Sequence, residues 1–248
     1  MTVIWDSSSR IEAPRARIPA GIRIYAIGDV HGRIDLLDQV LSRVDADTAA
    51  HPVRLAIRVF LGDYIDRGPA SKHVLDRLIT CCATHPSVCL IGNHETYLCE
   101  FLKNPEVLSV WKRWGGLDTL LSYGITPSIE TNAEAQAKLA HELNRILPLR
   151  HRLFLGALIP YFICGDFFFV HAGVRPGIPL TDQTEDDLLW IRDEFLFCEE
   201  NFGKVIVHGH TPVREPEVWA NRINIDTGAY ATGRLTCLVL ENDEITFI

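Results

Sequence analysis

The chain contains no apolar run of the roughly 18–20 residues that a bilayer span requires, so no membrane association is expected. Its first residues, MTVIWDSSSRIEAPRARIP, lack the apolar stretch of a secretory signal peptide. Basic residues are in deficit: 24 Lys and Arg stand against 32 Asp and Glu, for a formal net charge of −8. Non-specific nucleic-acid binding needs a basic face to neutralise phosphates, and that class is set aside. A small phosphorylated substrate is not excluded, because a local metal site can reverse the local field. Cys81, Cys82, Cys89, Cys99, Cys164, Cys198 and Cys237 are odd in number and show no Cys-x-x-Cys spacing. They read as buried, reduced thiols, and the cytoplasm is the expected compartment. There is no internal repeat and no low-complexity tract.

What remains is ordinary globular material. Hydrophobic residues make up 47% of the 248 positions and charged residues 23%, enough for a sizeable core. Residues 1–20, broken by Pro14 and Pro19, read as a loose N-terminal arm. From residue 21 to 248 we expect one continuous domain of α/β class. Strands are expected at Ile22–Ile27, Ile57–Leu61 and Val88–Ile91, with helices between them at Leu36–Val44 and Ser71–Ala83. Such alternation predicts a largely parallel sheet. The stretch from about 96 to 158 differs. Helical patterns near Glu95–Leu102, Glu106–Ser122 and Ala133–Ile146 mark it as a helical insertion flanking the site. Strands return after 159, with one helix near Asp186–Phe197.

Five apolar runs end in a turn that carries Asp, His or Asn: IYAIGDVHG, VFLGDYIDRG, VCLIGNHE, FFFVHAGV and VIVHGHTP. If these strands share one core, their ends gather Asp29, His31, Asp63, Asn93, His171 and His210. The carboxylate of Asp63 offers two oxygens and can serve two ions. Mixed nitrogen and oxygen donors without thiolates suit two divalent cations of the manganese, iron, zinc, cobalt or nickel type better than calcium. Two such cations bring four positive charges against the two of Asp29 and Asp63, so the site would attract a phosphate ester. Paired metals roughly 3.5–4 Å apart can activate a water for in-line attack at phosphorus. His94, next to Asn93, is placed to act as a general acid kept protonated by Asp66. Arg67 can grip phosphate oxygens, with Arg192 as a second clamp. His208 reads as a structural neighbour of His210. His51, His73, His85, His141 and His151 read as surface or packing residues. Trp111, Trp114 and Trp190 read as core rather than as the border of a groove, and Asp226 as a turn residue.

The ordered set GDVHG, GDYIDRG, GNHE, HAGV and GHTP resembles the phosphoprotein phosphatase family of calcineurin-like metallophosphoesterases, in its bacterial and phage-type branch. The resemblance runs from Gly28 to Gly228. It implies a central β-sandwich flanked by helices, with two metals at one end and manganese as the expected ion. It implies Asp29, His31 and Asp63 on the first metal and Asp63, Asn93, His171 and His210 on the second. His94 would then be the acid, oriented by Asp66, and Arg67 the phosphate ligand. The activity implied is a serine/threonine protein phosphatase acting on a phosphorylated protein or a small phosphoester. The alternative is symmetrical hydrolysis of diadenosine tetraphosphate, and an inactive scaffold is the reading outside enzymes. Ile91 replaces the usual Arg before GNHE, Trp114 replaces Asn before the Gly-Gly of the insertion, and the SAPNYC-type loop of eukaryotic members is absent. These departures bear on substrate, not on the ligand set.

Overall fold

The computed structural model describes residues 16–127 and 132–248. Strands β1 (Ile22–Ile27), β2 (Leu55–Phe60) and β3 (Ser87–Cys89) lead the chain. Strands β4 (Tyr161–Cys164), β5 (Phe167–Val170) and β6 (Val205–His208) follow the helical middle. Strands β7 (Glu217–Val218), β8 (Arg222–Asn224), β9 (Cys237–Glu241) and β10 (Glu244–Phe247) complete the set. They form two five-stranded sheets, ordered β10-β9-β1-β2-β3 and β4-β5-β6-β8-β7.

Side-chain alternation explains why the sheets stack. In β1, Ile24 and Ala26 face Phe167 and Phe169 of β5 across the sandwich, together with Val59, Val207, Ile223 and Leu238. Tyr25 and Ile27 point the other way, onto helices α1 (Ile34–Ala50) and α2 (Ser71–Thr84). On the far side, Phe168 and Val170 pack against Leu188, Ile191 and Phe195. Strands β1 and β5 are buried on both faces, which is why they read as continuous apolar runs.

Sequence periodicity places β1 and α2 well and misplaces others. The expected parallel sheet is two mixed sheets: β1, β2 and β3 are parallel, but β9 pairs antiparallel with β1. The chain reverses between β4 and β5 at Gly165 (φ +55°) and between β9 and β10 at Asn242 (φ +50°), and each reversal adds an antiparallel edge.

The middle contains α3 (Asn93–Phe101), α4 (Leu108–Trp111), α5 (Gly116–Ser122), α6 (Ala133–Ile146) and α7 (Leu149–Gly156). The Gly115-Gly116 pair breaks the helical stretch expected at 106–122, as its glycines suggest, with Gly115 left-handed (φ +96°). Helix α7 was invisible because its Leu149 and Leu153 stay exposed, so no buried apolar stripe marks it. The helix expected at 186–197 is two, α8 (Glu185–Trp190) and α9 (Asp193–Leu196), parted at Ile191–Arg192. A last short helix, α10, spans Ala229–Thr232.

The arm assigned to residues 1–20 lies outside the described residues up to residue 15. Its last residues are not loose: Ala16 and Ile18 are buried under the sandwich, and the Ile18 N–H donates to the Asn242 carbonyl at 2.7 Å. The thiols also depart from expectation. All seven are free, but only Cys81, Cys164 and Cys237 are buried, and Cys82 is exposed. No helix among the described residues is long and apolar enough to cross a membrane.

Candidate metal centre

Because β1, β2 and β3 run parallel, as do β5, β6 and β8, the turns after them collect at one end of the sandwich. Those turns carry Asp29 and His31, Asp63, Asn93 and His94, His171, His210 and Asp226, all of them buried. The turns are tight and strained. Among the described residues, His31, Asp63, Asp66, Arg67 and His210 are five of the six non-glycine residues with positive φ, and such strain persists only where the surroundings over-determine it. Glycine lets the turns interlock. A Cβ on Gly209 would sit 2.1 Å from Asp29 Oδ1, and one on Gly92 2.3 Å from Asp63 Oδ1.

Asp63 is central. Its Oδ2 lies 3.5 Å from His31 Nε2 and 3.8 Å from His94 Nε2. Its Oδ1 lies 3.4 Å from His171 Nε2 and accepts the His94 backbone N–H at 3.1 Å. Asn93 Oδ1 lies 2.9 Å from His171 Nε2 and 3.0 Å from His210 Nδ1. His31, Asp63 and His94 thus form one compact donor group, and Asp63, His171 and His210 another. Asp29 is outside these groups. It accepts the His210 backbone N–H at Oδ2 (3.0 Å), while its Oδ1 is buried without a hydrogen-bond partner, as is His210 Nε2.

These donors fit divalent cations. His31 Nδ1 donates to the Ile65 carbonyl and His171 Nδ1 to the Leu61 carbonyl, both at 2.9 Å, which leaves each Nε2 with a lone pair turned inward. Burial lowers His31 to about 3 and His210 to about 2, so both imidazoles are neutral. Burial pushes Asp63 upward, but the imidazoles of His171, His94 and His31 outweigh it and hold the carboxyl below its ordinary range. Asp29 is raised by burial, then by Asp226 and Asp63. A buried carboxylate beside two others, with one bare oxygen, is a position that a cation would relieve. His94 Nε2, by contrast, already has Arg67 Nη2 at 3.3 Å. That contrast favours Asp29 over His94 as the ligand beside His31 and Asp63.

Asp66 is built to hold His94. Its Oδ2 accepts from His94 Nδ1 and from Trp111 Nε1, each at 2.7 Å, and its Oδ1 from Thr119 Oγ1 at 2.5 Å. Burial lowers His94, but Asp63 and Asp66 outweigh it and draw the ring toward its protonated form. When neutral, with Nδ1–H on Asp66, its Nε2 accepts from Arg67. The Arg67 guanidinium lies 4.6 Å from the Tyr230 ring centroid. Arg192 is exposed and donates to Thr211 Oγ1 at 3.2 Å, beside His210, and its charge helps to keep His171 and His210 neutral.

Several side chains that support the candidate site are not singled out by the sequence. Glu95 accepts the N–H groups of Asp63 and Gly92 at 2.9 Å and of Tyr64 at 2.8 Å, and so ties two ligand turns together. It was visible as the last letter of GNHE. Trp111 and Thr119, in the helical middle, carried no local signal. Trp111 is buried as expected, yet it serves Asp66. Trp190 is not core: it stands 6.2 Å from the His210 ring and 5.5 Å from Tyr97, at the mouth. Trp114 is also exposed. His208 joins neither donor group; it packs edge-on against Phe195 at 4.9 Å. His151 is a packing residue between Tyr123 and Asp76. Asp226 caps its own turn, accepting the Gly228 N–H at 2.9 Å.

The bis(5′-nucleosyl)-tetraphosphatase PrpE [asymmetrical] of Anoxybacillus flavithermus is 27% identical over 86% of this chain and 88% of its own. The protein of that name from Bacillus velezensis is 28% identical over 85% and 86%. A solved structure described as a candidate diadenosine tetraphosphatase superposes with a TM-score of 0.61 at 20% identity, covering 94% of this chain and 97% of that one, and so shares the fold. The sequence profile of the calcineurin-like phosphoesterases matches residues 22–243, from the first strand to the last hairpin. The chain therefore belongs to the calcineurin-like phosphoesterase family, and it is a phosphoester-hydrolysing enzyme of the metallophosphoesterase fold.

Proposed function

We propose that this enzyme hydrolyses dinucleoside polyphosphates, with two divalent cations held by Asp29, His31, Asp63, Asn93, His171 and His210. The observation that carries the reading is the near full-length similarity to relatives whose names state that activity. The mouth agrees with it: Tyr97, Trp190 and Tyr230 present rings around the donor cluster, and ring faces suit nucleobases. This replaces the serine/threonine protein phosphatase as the leading reading. It also prefers asymmetrical products, since the relatives' names specify them. Manganese remains the expected ion, ahead of iron, zinc, cobalt and nickel, and metal content of the purified protein decides.

Bound cations would supply Lewis acidity toward the phosphoryl oxygens and a nucleophilic water at neutral pH. The residues do the rest. Arg67 holds phosphoryl oxygens with its planar fork, steadied by the Tyr230 ring, and Arg192 offers a second grip at the rim. His94 Nε2 gives its proton to the oxygen that departs with the leaving nucleotide. Asp66, through Nδ1, keeps the ring oriented and favours its charged form.

The metal-loaded enzyme is to be given diadenosine tetraphosphate and a phosphoserine peptide in parallel. We expect AMP and ATP from the first and slow phosphate release from the second. ADP as the sole product would restore the symmetrical alternative. Peptide turnover without dinucleotide turnover would restore the protein phosphatase.

A further inference from the structure

Beside the donor cluster a second cleft opens, of about 410 Å³, lined among others by Phe197, Thr211, Trp219 and Arg222. Its volume lies within the roughly 300–1,000 Å³ of small-molecule sites. Thr211 joins it to the centre: the residue follows His210, and its Oγ1 takes the hydrogen bond from Arg192. Folding leaves large aromatic surface here in water, with Phe197 80% exposed and Trp219 43%. Arg222 is the unusual member. It is only 7% exposed, its Nε has no hydrogen-bond partner, and among the described residues no carboxylate forms an ion pair with it. Its guanidinium lies against the Trp219 ring, 4.9 Å from the centroid. Its Nη1 donates to the Cys198 carbonyl and to Asn221 Oδ1, so the cation is fixed behind the Trp219 ring, and a rigid aromatic wall backed by positive charge suits a flat ligand.

We propose that this cleft seats the purine base of the distal nucleoside of a dinucleoside polyphosphate. The phosphate chain would leave the cleft past Thr211 and Arg192 toward the donor cluster. The proposal rests on the substrate reading above and adds where the second nucleoside goes. Charge decides which end of the ligand enters. Glu199 and Glu217 line the same cleft, and both are exposed. Two carboxylates repel phosphate but accept from an exocyclic amino group. The uncharged base therefore goes in and the phosphates stay out. Trp219 and Phe197 supply stacking surface, and Arg222, against the Trp219 ring, holds that surface in place.

Phe197→Ala and Trp219→Ala test this in the full-length, metal-loaded enzyme; both side chains are exposed, so folding is not at stake. The ratio of kcat/KM for diadenosine tetraphosphate to that for p-nitrophenyl phosphate is expected to fall about 5–100-fold, carried by KM, as for loss of a base–aromatic stack. An unchanged ratio overturns the cleft assignment. Failure of the wild-type enzyme to hydrolyse any dinucleoside polyphosphate sinks the substrate reading instead, and a second measurement then decides the cleft. Adenosine, which carries no phosphate to seek the metals, is observed by saturation-transfer NMR. A signal in wild type that is lost in the double variant supports a base in the cleft. No signal in wild type, or one that survives both substitutions, overturns it.

Discussion

Asp63 faces His31 and His94 with one oxygen and His171 with the other, and among the described residues it alone belongs to both donor groups. Asp63→Asn removes the charge and one acceptor, and hydrolysis is expected to be nearly abolished with metal in excess; turnover close to wild type would rule out the shared-ligand role. Gly209→Ala leaves charge untouched but drives a Cβ to 2.1 Å from Asp29 Oδ1. Metal analysis of that variant should show reduced occupancy, and full occupancy would argue that Asp29 is not a ligand. His94→Asn should retain both metals yet slow phenyl phosphate, which has a poor leaving group, by about 10²–10⁴-fold. p-Nitrophenyl phosphate should suffer less. If metal is lost instead, His94 belongs to the donor set and the acid lies elsewhere. That these candidate residues would converge is legible in the sequence because each follows a strand end, where a polar side chain after an apolar run stands out. The part played by Trp111 is not, since an indole in a helical stretch reads as core and its bond to Asp66 spans 45 residues.

Between elements, the insertion does more than flank. Helix α4 delivers Trp111 and helix α5 delivers Thr119 to the same carboxylate, and the turn between them lends the Gly115 carbonyl to the Arg67 N–H at 3.4 Å. Trp111→Phe keeps the ring and deletes one donor to buried Asp66, a loss of about 1–3 kcal/mol. In a chain of this length each kcal/mol is about 2–4 °C in Tm. Calorimetry should show that drop, with kcat reduced and KM little altered; an unchanged kcat would show that His94 does not depend on this support. The helices with buried stripes, such as α6 with Leu139 and Leu143, were readable from periodicity. Helix α7 is not, because Leu149 and Leu153 face solvent and only Leu155 of its leucines is buried. The antiparallel edges were not readable either, because strand pairing is settled by turns such as Gly165 that look alike in any loop.

At the scale of the whole molecule, the donor set is divided between layers. Asp29, His31, Asp63 and Asn93 follow strands of the first sheet, while His171 and His210 follow strands of the second. Cations that bind only the folded arrangement stabilise it by about 2.7 kcal/mol at a hundredfold excess over Kd. Chelation should therefore lower Tm by about 5–10 °C, and a Tm indifferent to chelator would deny that both layers contribute ligands.

The apolar interlayer has a mechanical side. Phe167, Phe169, Ile24 and Ala26 meet through contacts without direction, and two such layers resist separation better than they resist shear. Ions held from both sides of that seam would act as a rivet at one end, leaving the opposite end free to slip. Amide deuterium uptake along β5 and β6 should then be graded in the metal-loaded protein, slowest beside His171 and His210 and faster toward Phe167 and Val205, and the gradient should flatten when the metals are stripped.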